Sequence, residues 1–121
     1  MVPQDIDIWR EVVQLAKRQA VFSTLGSRCE EFTVVDVDQS CVKLQVGKAK
    51  RIIRESRADF ELAWQVIQRE RYLELQGMRE NESFSSDRPA YIAAILAQLP
   101  FVERFQRGRR LALRLKPEAR S

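Results

Sequence analysis

The chain has 121 residues, of which 45% are hydrophobic, and it carries a formal net charge of +4 with no histidine. This length and composition predict one globular domain that folds without a cofactor, and the missing histidine excludes histidine-based catalysis and Cys/His zinc sites. No apolar run approaches the roughly 20 residues that cross a membrane and no signal-peptide pattern is present, so we expect a cytoplasmic protein without membrane contact.

The first half of the sequence predicts a helix and then a hairpin. Residues 5–20 have apolar side chains at helical spacing among charged ones, which indicates an amphipathic helix. Residues 31–46 contain two alternating, β-rich runs around a polar turn at 36–40, which indicates a β-hairpin. A two-residue turn at 38–39 and a five-residue loop place Phe32 and Val34 on opposite faces relative to Val42 and Leu44. The sequence therefore does not determine the register of the hairpin.

A second helix is predicted after the hairpin. Ser56 suits its N-cap, with Asp59 three residues later approximating a capping box. The apolar stripe runs to about Leu75, and Gly77 is the expected stop. Trp64 lies on this stripe and is expected to be buried. The polar residues 81–87 predict the most flexible loop of the chain.

The last predicted elements are a third helix and a strand. The helix is expected to start near Asp87, with Ser86 or Asp87 as its cap and Pro89 in its first turn, and to end at Pro100. It is apolar nearly all round, which predicts a central position. Residues 110–116 alternate between leucine and mostly basic residues, a pattern typical of a half-buried strand with a basic outer face.

These elements give the order α-β-β-α-α-β. We therefore predict an α+β fold in which a three-stranded antiparallel sheet packs against three helices. One domain would span residues 1–117 and a short tail would span 118–121. The sequence contains no internal repeat and no second domain.

The basic residues are concentrated in two short segments. The first basic segment, 43–57, holds six Lys and Arg residues and one acid, and the second basic segment, 104–116, holds six and no acid. These segments carry +5 and +6; nine basic and sixteen acidic residues remain elsewhere, which gives −7. A chain that separates its charge in this way can present a positive face to a polyanion.

Nucleic acid is the predicted partner of these segments, bound through its phosphate backbone. If the final strand joins the hairpin in one sheet, Lys43 and Gln45 share the basic outer face of that strand, which contains no balancing acid. Amides after Ser56 are expected to assist in holding phosphates. The predicted binding residues are Lys43, Lys48, Lys50, Arg51, Arg54, Arg57, Arg107, Arg109, Arg110, Arg114 and Lys116.

Several more specific motifs are absent. Gly47-Lys48 lacks the upstream glycine and the following Ser or Thr of a phosphate-binding loop. Asp36 and Asp38 are explained by turn chemistry rather than by a metal ion. Phe105 is the only aromatic residue in the basic segments, which gives little support to base stacking. We predict no catalytic residue, no metal site and no cofactor.

Cys29 and Cys41 are too few for a disulfide framework. They flank the first strand of the predicted hairpin, and an extended strand of this length holds its ends too far apart for a disulfide. We expect two reduced thiols.

The pattern as a whole resembles a group of small modules of uncertain function that occur alone or attached to restriction-type and other DNA-processing proteins in bacteria and phages. The resemblance covers residues 20–115 and rests on Glu31–Val37, Val42–Leu44, Ile53–Trp64, Ser86 and Tyr91–Pro100. It implies a bacterial or phage setting associated with DNA processing or defence, and it carries over no catalytic residue.

The sequence therefore predicts a small nucleic-acid-binding accessory domain without enzymatic activity, with DNA the favoured ligand. The alternative is a protein-interaction module, an adaptor or a homodimer, that pairs through its final strand and meets an acidic partner. A histidine-free ribonuclease is a third reading, in which Arg, Lys and Tyr stabilise the phosphorane; the element order argues against it.

Overall fold

The computed structural model describes residues 6–26, 29–86 and 88–117. The helices are α1 (Ile8–Arg18), α2 (Arg57–Glu70), α3 (Leu75–Glu80) and α4 (Pro89–Leu96). The strands are β1 (Val21–Ser23), β2 (Glu31–Val37), β3 (Cys41–Val46), β4 (Arg51–Ser56), β5 (Tyr72–Glu74), β6 (Val102–Arg107) and β7 (Arg110–Leu115). The α+β class is confirmed, whereas the predicted single three-stranded sheet with three helices is wrong: two antiparallel sheets, of four and three strands, are present.

The predicted hairpin is formed by β2 and β3, and its register combines a short turn with a bulge. Strand β2 ends at Val37 and β3 starts at Cys41, so neither of the two turn lengths considered from the sequence is correct. Phe32 pairs with Val46, and the register shifts at Val35. The bulge leaves Val35 exposed and keeps Phe32, Val34 and Val37 of β2 packed in or against the core together with Val42, Leu44 and Val46 of β3.

Residues 51–56 belong to the first basic segment, and no strand was predicted there, but they form strand β4. This strand pairs along its whole length with β3, from Arg51 opposite Val46 to Ser56 opposite Cys41. The adjacent isoleucines at its centre favour extended backbone, and Gly47 adopts a positive φ of 74° at the start of the connecting turn. A hairpin between strands that are close in sequence closes at small entropic cost. This explains why residues 51–56 pair with β3 instead of forming an unpaired connection to α2.

The final strand lies in the second sheet, whose order is β5-β7-β6. The expectation that it joins the β2–β3 hairpin in one sheet is wrong. Strand β7 pairs instead with β6 across a two-residue turn at Gly108 and Arg109, and Gly108 has a φ of 66°. Glycine suits this position because it adopts positive φ without strain. The charged residues of 102–107 concealed β6 in the sequence.

Helix α2 starts as predicted and ends earlier. The Ser56 hydroxyl accepts a hydrogen bond from the Asp59 amide at 3.2 Å. The helix ends at Glu70 because Arg71 adopts the left-handed conformation, with φ of 76°. Gly77, the expected stop, lies inside the short helix α3.

Helix α4 is the predicted third helix, with Pro89 at its first position. Arg88 occupies the N-cap position without a side-chain cap bond, so Ser86 is not the cap, and Asp87 lies outside the described residues. Nearly every residue of α4 is buried, which confirms its central position. Within the described residues, no helix combines the length and apolar character needed to span a membrane.

Residues 57–115 form one unit around the three-stranded sheet. Helix α2 leads to the short strand β5, then to helices α3 and α4, and finally to the β6–β7 hairpin, with β5 paired to β7. The four-stranded sheet and α1 pack on this unit: the Trp9 ring lies 5.7 Å from that of Phe60, and the Phe32 ring meets Tyr91 edge-on at 4.9 Å. Trp64 is 4% exposed, which confirms its predicted burial.

Candidate nucleic-acid interface

The predicted binding residues fall on two hairpins in different sheets. The first hairpin, β3–β4 with the first turn of α2, carries Lys43, Lys48, Lys50, Arg51, Arg54 and Arg57. The second hairpin, β6–β7, carries Arg107, Arg109, Arg110 and Arg114, and Lys116 follows it directly. Because β4 belongs to the four-stranded sheet and β7 to the other, the two basic segments do not share one sheet face.

Helix α2 separates the two hairpins. It begins directly after Ser56, the last residue of β4, and ends before Tyr72, which pairs with Arg114 of β7. Fourteen helical residues span about 21 Å at 1.5 Å per residue. Arg54 and Arg114 therefore lie near opposite ends of α2 and belong to separate surfaces.

The outer face of the first hairpin is basic and open. Strand pairing places Arg54 beside Lys43 on the side facing away from the core. Lys43 makes one loose ion pair, to Asp36 at 3.7 Å. Four further cations are exposed and form no ion pair with an acid in the described part of the chain; we refer to them as the open cations, Lys48, Lys50, Arg51 and Arg54.

The single acid of the first basic segment, Glu55, faces inward. Its side chain is 4% exposed, and both carboxylate oxygens accept hydrogen bonds from the Ser86 hydroxyl, at 2.9 and 2.8 Å. The neighbouring Asp59 is 2% exposed and accepts from the amide and the hydroxyl of Ser85, both at 2.9 Å. These two carboxylates hold part of the loop that the sequence predicted to be most flexible.

A cleft runs along β4, between the strand and the loop that leads to α4. Its volume is about 510 Å³. Arg88, which the sequence analysis did not select, lines this cleft together with Arg51 and Arg54. The cleft adds a third guanidinium to the exposed surface of the first hairpin.

The start of α2 contributes less to anion binding than the sequence predicted. The Arg57 amide already donates to the Ser40 carbonyl at 2.8 Å, and the Asp59 amide is capped by Ser56. The Arg57 side chain pairs with Glu61 at 3.5 Å and lies 5.8 Å from the Trp9 ring centroid. Two of the amides expected to hold phosphate are occupied by protein groups.

Three arginines of the second hairpin are paired with acids, whereas the exposed Arg109 forms no ion pair in the described part of the chain. Glu74 of β5 accepts from Arg107 at 3.1 Å and from Arg110 at 3.3 Å. Glu103 of β6 accepts from Arg114 at 2.9 Å. The expected acid-free outer face of the final strand is therefore wrong, because neighbouring strands bring the acids that β7 itself lacks.

Two aromatic rings lie among these ion pairs. The guanidinium of Arg107 lies 4.2 Å from the ring centroid of Tyr72, and that of Arg114 lies 4.3 Å from the ring centroid of Phe105. Together with Arg71 they line a cavity of about 490 Å³. The sequence analysis missed Tyr72 because it lies outside both basic segments and reaches Arg114 only through sheet pairing.

A helix that reads a DNA groove must present an exposed face to it. Helix α4 is buried along its length: Ile92 and Leu96 are fully inaccessible, and Tyr91 contacts Phe32 of the four-stranded sheet. The four-stranded sheet thus covers α4. Groove reading through α4 is incompatible with this packing.

The acidic turn before β3 has a structural role. Asp38 accepts hydrogen bonds from the Ser40 amide and hydroxyl and from the Cys41 amide, and these bonds, the Ser40 amide foremost, lower the pKa of Asp38 from 3.8 to about 2. This confirms the turn-chemistry interpretation for Asp38, whereas for Asp36 it is wrong, because Asp36 lies in strand β2 and forms an ion pair with Lys43. Cys29 is exposed, Cys41 is buried, and both thiols are unpaired, as predicted.

No protein-family model, no curated protein and no solved structure matches this chain.

Proposed function

We propose that this protein is a small nucleic-acid-binding domain that contacts the phosphate backbone through its first hairpin. The observation that carries the proposal is the set of four open cations, which occupy one exposed hairpin without acid partners in the described part of the chain. Lys43 and Arg88 border the same surface. Cations that make no ion pair within the protein can bind phosphates, and so release the counterions of a nucleic acid, without first breaking a contact within the protein.

The geometry favours backbone contact over reading of base edges. Val46, at the end of the first hairpin, is still paired with Phe32 of β2, so only the turn at 47–50 extends beyond the sheet. A two-stranded ribbon that enters the major groove needs a free-standing hairpin. With α4 also covered, we expect binding that depends weakly on sequence. The resemblance found in the sequence supports DNA, a cytoplasmic location and an accessory role in bacterial or phage DNA processing.

Four phosphate contacts predict a steep dependence on salt. At about 0.9 units of slope per contact, the affinity for duplex DNA falls by about two orders of magnitude between 50 and 200 mM salt. The test is a titration of labelled duplex DNA, single-stranded DNA and RNA over this range. Intact RNA in the same samples checks the expectation that the domain is not a ribonuclease.

The decisive variant is Arg51→Gln/Arg54→Gln. It should reduce the salt slope by about two units and weaken binding to all nucleic acids alike. The matched control is Lys17→Gln/Arg18→Gln, which removes two exposed cations at the end of α1 and should change the slope little. Absence of any binding by the wild-type protein at about 50 mM salt refutes the proposal.

A second candidate function, binding of an acidic protein segment, is favoured by the open edge of β4. The Arg57 amide bonds to Ser40 of the β3 side, and alternation along the ladder then directs the backbone groups of Ile52 and Arg54 away from β3. Ile52 is 52% exposed. The final strand cannot serve this role, contrary to the sequence-based alternative, because β7 lies between β5 and β6.

Charge determines which partner suits this edge. Ile52 and Arg54 share the outer face of β4, and Arg51 lies on the opposite face at the end of the strand. A second copy that paired through β4 would bring its own arginines next to these, where like charges repel. A segment that carries acidic residues beside an apolar one complements both the arginines and Ile52. We therefore favour an acidic partner over a homodimer within this second candidate.

The variant Ile52→Pro discriminates the two functions. It removes an N–H on the open edge of β4 and keeps every cation, so the affinity for nucleic acid should change little, whereas strand pairing with a peptide of valine and glutamate residues should be lost. If this peptide binds the wild-type protein and no nucleic acid does, the second candidate replaces the first.

A further inference from the structure

The outer face of the three-stranded sheet has a small residue between two aromatic ones. Strand pairing aligns Tyr72, Arg114 and Glu103 in one row across the sheet, and Glu74, Ala112 and Phe105 in the next. Alternation places all six on the same face. Since Ala112 has only a methyl group and is fully buried, it leaves room for Arg107 of β6 to reach across β7 to the ring of Tyr72 on β5, while Arg114 of β7 reaches Phe105 on the adjacent β6.

Each ring is paired with a guanidinium, and each guanidinium is fixed by a carboxylate. Arg107 lies over Tyr72 at 4.2 Å while bound to Glu74, and Arg114 lies over Phe105 at 4.3 Å while bound to Glu103. A guanidinium has five N–H donors. These contacts position the two guanidinium groups without using all of their donors, and both arginines line the cavity of about 490 Å³.

We propose that this face binds unpaired nucleobases of a single-stranded nucleic acid. A planar base stacks on the arginine–aromatic pairs, and the remaining guanidinium donors bind its acceptor atoms or the adjoining phosphate. The proposal rests on the proposed function for the class of ligand, but it assigns a separate surface, at the other end of α2, to a different part of that ligand.

The charge balance of the face favours stacking over simple phosphate attraction. Two carboxylates lie among three arginines: Glu74 binds Arg107 and Arg110, and Glu103 binds Arg114. These ion pairs reduce the attraction of the face for a backbone phosphate, to which Arg71 of the same cavity adds one cation without an ion pair in the described part of the chain. Stacked bases of a duplex present no ring face to a sheet, so this surface should contribute to the binding of single strands only.

The experiment compares a base-bearing single-stranded oligonucleotide with an abasic one of equal length and phosphate number. Stacking of one or two bases predicts about tenfold or greater preference for the base-bearing strand. Tyr72→Leu and Phe105→Leu should each reduce this preference severalfold with the salt slope unchanged. Arg51→Gln/Arg54→Gln should do the reverse, reducing the slope and keeping the preference.

Arg107→Lys is a conservative variant that tests stacking without relying on the loss of a ring, which can impair folding. It keeps the positive charge and removes the planar guanidinium group. It should lower the preference with little change in thermal stability. Equal binding of both oligonucleotides by the wild-type protein overturns the stacking surface and leaves the phosphate proposal intact. Absence of all binding at about 50 mM salt overturns both. A mononucleotide that binds as tightly as the oligonucleotide also overturns the single-strand assignment, in favour of a nucleotide site.

Discussion

The two basic hairpins look alike in sequence and differ in the acids that surround them. The first basic segment contains an acid, Glu55, which turns inward and holds Ser86. The second contains none, yet Glu74 and Glu103 from outside the segment reach three of its arginines. The segment with a local acid thus keeps its exposed cations open, and the segment without one has most of its arginines paired.

This difference shows that local charge counts do not measure the availability of a cation. Adjacent strands lie only about 4.8 Å apart, so an acid that is distant in sequence can form an ion pair with an arginine on another strand of the same sheet. Glu55, by contrast, lies next to the open cations in sequence, but it is buried and accepts hydrogen bonds from Ser86 in the loop before α4. The four predictions below test how far the comparison holds.

The largest effect is expected for Trp64→Ala. Trp64 lies on α2, which joins both hairpins, and its ring meets Phe101 edge-on at 5.4 Å. Loss of this buried ring should lower the free energy of unfolding by about 3–5 kcal/mol. Urea unfolding followed by Trp9 fluorescence and by circular dichroism should give coincident transitions. Two separate transitions would mean that the hairpins belong to independent units.

Ser86→Ala tests the role of Glu55. A hydrogen bond to a buried carboxylate contributes about 1.5–3 kcal/mol, so the variant should lose stability in this range. Ser83→Ala, in the exposed part of the same loop, should change stability by less than about 0.5 kcal/mol. Equal effects of the two variants in thermal unfolding would show that the bond between Ser86 and Glu55 does not hold the loop.

Glu74→Gln should make the second hairpin resemble the first. It removes the negative charge that binds Arg107 and Arg110 and keeps an amide oxygen that can accept a hydrogen bond from them. We expect severalfold tighter binding of nucleic acid and a salt slope that steepens by about one unit for each arginine that gains a phosphate contact. Glu82→Gln, which removes an exposed acid from the loop after α3, is the charge-matched control. Equal gains from both variants would indicate a general charge effect.

The smallest effect concerns Asp38, at the turn before the first hairpin. Its pKa in the folded state is about 2, below the usual 3.8, so its ionised form stabilises the fold. This contribution is complete above about pH 4 and is lost as the pH falls through 2. The difference in stability between the wild type and Asp38→Asn should vanish over this window. A difference that persists at pH 2 would contradict the role of the carboxylate.

The sequence by itself determined those features that depend on neighbouring residues. The Ser56 cap, the Pro89 start of α4, the β2–β3 hairpin, the β7 strand and the burial of Trp64 all follow from local hydrogen bonding or from the period of apolar residues. The bounds of α2 were less predictable, because a left-handed Arg71 rather than Gly77 ends it. Strands β4 and β6 were hidden because charged side chains on an exposed edge weaken the strand pattern.

Only the tertiary structure decided which cations remain available. Strand order placed β7 between β5 and β6, far from β4, and it brought Glu74, Glu103 and Tyr72 against arginines distant in sequence. It also packed the first sheet over α4. Pairing between remote strands depends on the sum of many weak packing energies rather than on any local motif, so composition and spacing indicate a basic protein but not its binding surface.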